Sequence, residues 1–195
     1  MFTFKKFALA GAVVAALSMT SCSDKADDEV DDKDLDWKAL SGALSLAGRS
    51  YGDLDANKTY DQAGAKTNAG DIDVVAYYND GAANKVFNPC GIETIGGDEC
   101  GAPELYPIPQ EYQAALKSAT KLSEIAEFLG DLDAILGTPN AGVNGGDGNE
   151  VWEIDIAKDK SFLVLSTDTK YFIVTITEAG TKTVSLKFSG NGFEK

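Results

Sequence analysis

The chain has 195 residues, a formal net charge of −14 and no histidine. That length fits one domain at the usual ~100–200 residues each, and the acidity works against nucleic acid, whose phosphates are held by cationic side chains that displace counterions, and against direct contact with an anionic membrane surface. The missing histidine excludes Ser-His-Asp and Cys-His catalysis, His-ligated zinc and imidazole pH switching. The partners that remain are neutral, such as glycans or proteins, or cationic, such as metal ions or basic peptides.

Residues 1–21 read as a secretion signal. Lys5 and Lys6 form a basic start, residues 7–17 are an unbroken run of apolar and small residues, and small residues precede a cysteine. The run is shorter than the ~20 residues that span a bilayer core; a buried N-terminal helix is the alternative. Leu17-Ser18-Met19-Thr20-Ser21-Cys22 resembles a lipobox, with Met19 where Leu is more usual. On that resemblance signal peptidase II cuts before Cys22, which carries the lipid (palmitate among its acyl chains). Several acyl chains, at ~0.8 kcal/mol per buried methylene, hold a protein at a membrane far better than one. Ser23, in place of Asp, implies sorting to the outer membrane. Loss of Lys5 and Lys6 with the leader takes the net charge to about −16.

Residues 24–36 carry eight acids against two lysines. Such a run repels itself and stays extended, so residues 22–41 read as a lipidated cysteine followed by an acidic tether. An acidic stretch in this place also resembles the surface-export signals of some Gram-negative lipoproteins. With Cys22 acylated, Cys90 and Cys100 remain as one pair, whose disulfide closes a Gly-rich loop and contributes at most ~3 kcal/mol by chain entropy. A two-cysteine metal site is the alternative, disfavoured because thiolate sites take three or four soft ligands.

Removing leader and tether leaves about 155 residues, enough to bury a core unaided. A first strand is predicted near residues 43–48. Residues 51–60 read as a hairpin turning at residues 55–58, and Asp61 can cap a short helix reaching about residue 65. Residues 72–78 form a β-branched and aromatic strand, and residues 85–87 a short strand stopped by Pro89. Pro109 suits a first helical position, and residues 110–119 place Tyr112, Leu116 and Ala119 on one helix face. Thr120 can cap the next helix, where Leu122, Ile125, Ala126 and Leu129 recur at helical spacing; Gly130 interrupts it, residues 131–136 resume it and Gly137 stops it.

After a Gly/Asn loop at residues 140–149, strands are predicted at 151–156, 161–166, 171–177 and 182–188. Val184, Leu186 and Phe188 alternate with Thr183, Ser185 and Lys187, so the last strand has one wet face, whereas residues 161–165 are apolar on both faces and belong centrally. The result is a single α+β domain over residues 42–190, mostly antiparallel sheet with helices inserted between its N- and C-terminal strands, followed by a tail at 191–195. A β-sandwich with a helical insertion is the alternative.

Asp53-Leu54-Asp55-Ala56-Asn57 imitates the opening of an EF-hand loop, which makes Asp53, Asp55 and Asn57 weak calcium candidates. Lys58 stands where the turn glycine belongs and Gly64 where the bidentate Glu belongs, and hairpin Asx turns account for the same residues. The stretch at residues 144–150 has oxygen ligands and glycines but no repeat, and no Lys-Ser/Thr pair that would make it a phosphate cradle. Trp152 invites sugar stacking, yet it shares a strand face with Ile154 and Ile156 and reads as core. Tyr77 and Tyr78 point to opposite faces, so one at most joins Tyr51 or Tyr60 in a binding surface. No catalytic motif and no cofactor motif stands out, and carboxylate pairs for glycoside hydrolysis are too numerous to single one out.

The strand ending Leu46-Ala47-Gly48, Asp53-Leu54-Asp55, Lys58-Thr59-Tyr60, Ala65, Asn68, residues 71–78, Asn88-Pro89 and the closing hairpin from Lys170-Tyr171 to Phe188 together resemble a domain recurring in uncharacterised surface lipoproteins of gut-type Gram-negative bacteria. The resemblance covers most of residues 43–190 and is diffuse. It implies a lipoprotein with a single domain, no enzymatic activity and no catalytic residues, and nothing about a ligand. The function expected is a lipid-anchored outer-membrane or cell-surface accessory module that binds a glycan or an envelope protein without catalysis. A small Asp/Glu-dependent hydrolase, with two raised carboxyls in one cleft, and a structural subunit of an outer-membrane complex are the alternatives.

Overall fold

A computed structural model of the chain describes residues 33–77, 85–91, 103–137 and 153–194. Strands β1 (Trp37–Ala39) and β2 (Leu44–Ser45) lead into a hairpin of β3 (Ser50–Asp53) and β4 (Lys58–Tyr60). Helix α1 (Gln62–Thr67) begins at Asp61, whose Oδ1 accepts the Gly64 amide at 2.8 Å and so satisfies a donor the first turn leaves open. A 3-10 turn at Ala69–Asp71 precedes β5 (Val74–Tyr77) and β6 (Lys85–Phe87). Next come β7 (Glu104–Pro107), α2 (Gln110–Ser118), a 3-10 turn at Leu122–Ile125, α3 (Ala126–Gly130) and α4 (Leu132–Leu136). The last strands are β8 (Glu153–Asp155), β9 (Ser161–Leu165), β10 (Tyr171–Ala179) and β11 (Thr183–Ser189).

The strands form two antiparallel sheets. One runs β1-β11-β10-β9-β7, with β2 also paired to β11; the other runs β4-β3-β5-β6-β8. Because side chains alternate along a strand, each sheet has two faces to cover. Phe162, Val164, Phe172, Val174, Ile176, Val184, Leu186 and Phe188 from the first sheet share one core with Val74, Ala76, Val86 and Ile154 from the second. The residues between them, Leu163, Tyr171 and Ile173, join Tyr106 against Leu116, Ile125, Phe128, Leu132, Ile135 and Leu136 of the helical segment. Beyond the second sheet, Tyr51 and Val75 pack on Ala65, Ala69 and Ile72. The domain is therefore α+β, with its sheet divided into two that face each other as in the sandwich alternative.

The predicted character of individual strands holds. β9 is paired on both sides, and residues 161–164 are buried on both faces. Val184, Leu186 and Phe188 are buried while Thr183 is exposed and Ser185 and Lys187 are half-buried. Hairpin register pairs Tyr51 with Tyr60 and Asp53 with Lys58, and Asn57 completes the turn with φ 52°, a left-handed conformation that Asn tolerates.

Several expectations need correction. The folded part starts well before residue 42: Leu35 and Leu40 are buried, and β1 pairs Trp37 with Ser189 and Ala39 with Lys187. Trp37 Nε1 donates to the Ala119 carbonyl at 2.6 Å, and Lys187 Nζ lies 4.1 Å from the centre of its ring. The C-terminal segment is likewise tied down, since Tyr171 and Phe193 exchange backbone hydrogen bonds and stack their rings 5.9 Å apart. β7 was not anticipated; Pro107 is tolerated there because the strand is an edge. Residues 122–136 form a 3-10 turn and two short helices. Their start is capped by Glu124, which reaches back to accept the Thr120 amide at 2.5 Å and the Lys121 amide at 3.2 Å, so the Thr120 side chain is not the cap. Pro109 precedes α2 as its N-cap. Among the described residues no helix is long and apolar enough to cross a membrane.

Candidate functional site

A polar cavity of about 350 Å³ lies where the β3–β4 turn, the end of α1 and the β9–β10 turn converge. Asp53, Asp55, Lys58 and Tyr60 line it from the hairpin, Asn68 and Asp71 from the α1 side, and Thr167 and Asp168 from the far turn. Local chemistry sets this shape. Asp53 Oδ1 accepts the Ala56 amide at 2.7 Å, an Asx turn that folds the hairpin tip. Asn68 Nδ2 donates to the Gly64 carbonyl at 2.8 Å and closes the end of α1. Thr169 holds φ 63° at the β9–β10 turn, an uncommon conformation for a β-branched residue.

Beneath the basin Asp73 is fully buried. Its Oδ2 accepts the Leu54 amide at 2.7 Å and its Oδ1 the Thr167 amide at 3.0 Å, so one carboxyl group joins the turn of one sheet to a turn of the other. Burial, helped by repulsion from Asp55 and Asp53, pushes this carboxyl up to about 7 against the two amide bonds. Burial also raises Asp53, with Asp71 and Asp55 adding to it and the Ala56 amide opposing. The Tyr60 hydroxyl, which donates to Asp53 at 3.4 Å, is raised by burial first and by Asp53 next. Lys170 Nζ stands 3.4 Å from Asp55 Oδ1, and Asp55 Oδ2 is buried without a hydrogen-bond partner.

The three weak calcium candidates do not converge. Asp53 bonds its own turn, Asp55 faces Lys170, and Asn57 Oδ1 accepts the Ser41 amide at 2.9 Å on the other side. Among the described residues no group of three His, Cys, Asp or Glu is placed to hold a metal ion. Tyr51 is buried beneath the hairpin and offers no surface, whereas Tyr60 is at the basin wall. Tyr77 is half-buried with the Arg49 guanidinium 4.8 Å above its ring.

Cys90 is disulfide-bonded and its amide donates to Asn88 Oδ1 at 2.9 Å. Cys22, Cys100, Tyr78, Trp152 and the loop at 144–150 lie outside the described residues. A second, apolar groove of about 380 Å³ is lined by Leu122, Leu129, Leu132 and Phe193. Among the described residues, Tyr60 is the aromatic lining the polar basin and Phe193 the one lining the apolar groove.

Sequence reading missed Asn68, Asp71, Thr167 and Asp168 as basin residues, and Asp73 as the buried carboxyl beside them. One signal was present. An aspartate between Ile72 and Val74, inside an otherwise apolar strand, is a carboxylate that burial forces into hydrogen bonds. Compared with protein-family models, curated proteins and solved structures, the chain matches none.

Proposed function

We propose that the chain is a lipid-anchored protein of the outer membrane or cell surface, whose domain is a non-catalytic accessory module binding a glycan or a protein partner at the polar basin. The observation that carries the reading is the short distance between a lipobox-like Cys22 and a fold already packed at Leu35. The residues from Cys22 to Lys33 can extend to at most about 36 Å at ~3.3 Å each, so an anchor at Cys22 keeps the domain beside the bilayer. The basin suits a neutral, hydroxyl-rich ligand, for carboxylates, Asn68 and the aromatic Tyr60 all line it, and its charge repels polyanions.

The hydrolytic alternative has one observation in its favour, that Asp53 and Asp73 are both raised. It has less support than binding, because Asp73 is sealed from solvent with both oxygens accepting backbone amides and cannot reach a leaving group.

Fractionation of a Gram-negative host tests the anchor. The wild-type chain is expected in the membrane fraction with acyl label incorporated, and Cys22→Ser in the soluble fraction without label; an unlabelled wild-type sulfur or a retained leader overturns the placement. Binding is read on a panel of neutral polysaccharides and envelope proteins, where Tyr60→Ala is expected to weaken the interaction about tenfold or more, in the range of a lost aromatic contact. Inertness of the wild-type protein across the panel overturns the binding role.

A further inference from the structure

We propose that the apolar groove of Leu122, Leu129, Leu132 and Phe193 is the face on which the domain rests against a neutral, zwitterionic bilayer surface, an inference that rests on the reading of Cys22 as the lipidated residue. The groove opens on the core between the first sheet and the helical segment. Leu132 is buried, while Leu122, Leu129 and Phe193 pack on that core and keep part of their surface open. A cavity of about 340 Å³ adjoins the groove, sharing Leu122 and Phe193 with it, and is bounded by Lys33 and Leu35.

The backbone sets where an anchor leads. Trp37 Nε1 bonds the Ala119 carbonyl, the Leu35 amide donates to the Thr120 carbonyl at 2.8 Å, and the Lys33 carbonyl accepts the Leu122 amide at 2.9 Å. Each step back along the chain thus moves toward Leu122, so the segment leading to Cys22 departs from beside the groove. From Cys22 to Lys33 the chain reaches at most about 36 Å at ~3.3 Å per residue. A lipid on so short a lead keeps the side of the domain around Lys33 near the bilayer, at an effective concentration on the order of millimolar. A contact too weak to recruit a free protein is populated there. Apolar side chains grouped beside the anchor suit it, since an interfacial apolar face settles ~5–10 Å into the boundary of headgroups and acyl chains.

Charge selects the kind of surface. Asp133 and Glu194 line the groove, and Asp34, Asp36 and Lys33 line the adjoining cavity. Four acids against one lysine repel an anionic surface and leave a zwitterionic one, whose ammonium groups can meet the carboxylates. The other end of the first sheet points away from the anchor. The Leu46 amide donates to the Lys182 carbonyl just before β11, whereas the Gly190 amide donates to the Asp36 carbonyl just after it. Gly48 therefore stands the length of β11 from the anchor's exit, roughly 20 Å at ~3.3 Å per residue.

Gly130, in the groove, and Gly48 are both exposed, and an added Cβ meets nothing within 4 Å at either, so a labelled cysteine fits at both. The full chain with Gly130→Cys or Gly48→Cys, acylated in a Gram-negative host, carries a polarity-sensitive dye at the new position and is added to vesicles of phosphatidylethanolamine and phosphatidylcholine containing nitroxide-headgroup lipid. The dye at 130 is expected to shift to the blue and lose most of its emission to the nitroxide, and the dye at 48 to do neither; phosphatidylglycerol in the vesicles is expected to lessen the effect at 130. Equal behaviour of the two positions in the acylated chain, or an effect at 130 that phosphatidylglycerol leaves unchanged or strengthens, overturns the inference. Shielding at 130 that grows with protein concentration in the Cys22→Ser chain without vesicles gives the groove to a second copy and overturns it likewise. A chain bearing no acyl group on Cys22 overturns the anchor reading itself, and the inference with it.

Discussion

Phe162→Ala is expected to cost about 3–5 kcal/mol of stability, the range for emptying a large aromatic from a closed core. Phe162 is fully buried between the two sheets and stands opposite Val174 in the β9–β10 register. It shares its core with Val74, Val86 and Ile154 of the second sheet, so the cavity would open at the seam that holds the sheets together. Chain segments on both sides are held in hydrogen-bonded ladders and cannot collapse inward to fill it. At about 2–4 °C per kcal/mol for a chain of this size, the melting temperature should drop by roughly 6–20 °C. Thermal and urea unfolding of the variant measure this; a loss below about 1 kcal/mol would mean that the two sheets do not share a continuous core.

Among the described glycines, Gly190→Ala should be the most damaging addition of a single methyl group. A Cβ at Gly190 would sit 2.3 Å from the Asp36 carbonyl oxygen and 2.7 Å from Lys38 Cε. The first of these is backbone, and it accepts the Gly190 amide at 3.0 Å, so relief of the clash breaks the contact between the start of β1 and the end of β11. Overpacking of this kind costs about 1–3 kcal/mol, and here it also exposes Leu35 and Trp37. The control is Gly130→Ala at the end of α3, where nothing lies within 4 Å of the added carbon and the change should be near neutral or slightly stabilising. Unfolding curves of both variants are the measurement; equal stability would show that the N-terminal strand does not depend on this close approach.

The parts of the fold legible in the sequence are those whose pattern is local. Alternation in residues 182–188 and the doubly apolar run at 161–165 announce one-faced and two-faced strands, because a strand's side chains divide by parity whatever it pairs with. Asp61 and the turn-forming residues 55–58 likewise act on their own neighbours. What escaped depends on distant partners. Trp37–Ala39 is strand because β11 lies beside it, and Glu104–Pro107 because β9 offers an edge, though a proline and a charge argue against strand locally. The division into two sheets is set by which strands meet, and no segment carries that information alone. The same holds for the basin. Asp53 and Asp55 drew notice through a motif, and the structure sets them instead in one basin with Asp168, which is remote in sequence, while the neighbouring Thr167 donates its amide to Asp73.

The stitching of β1 to β11 also gives the domain a mechanical grain. A pull arriving from the N-terminal side of residue 33 meets the amide bonds of Leu35 to Thr120 and Leu122 to Lys33 first, at 2.8 and 2.9 Å. It passes next into the three-residue ladder of β1 on β11, which in turn grips β10 along five positions. Tension is therefore borne by a short peripheral strand before it reaches the buried aromatics, and stretching should peel Trp37–Ala39 away as a sacrificial flap while the facing sheets stay intact.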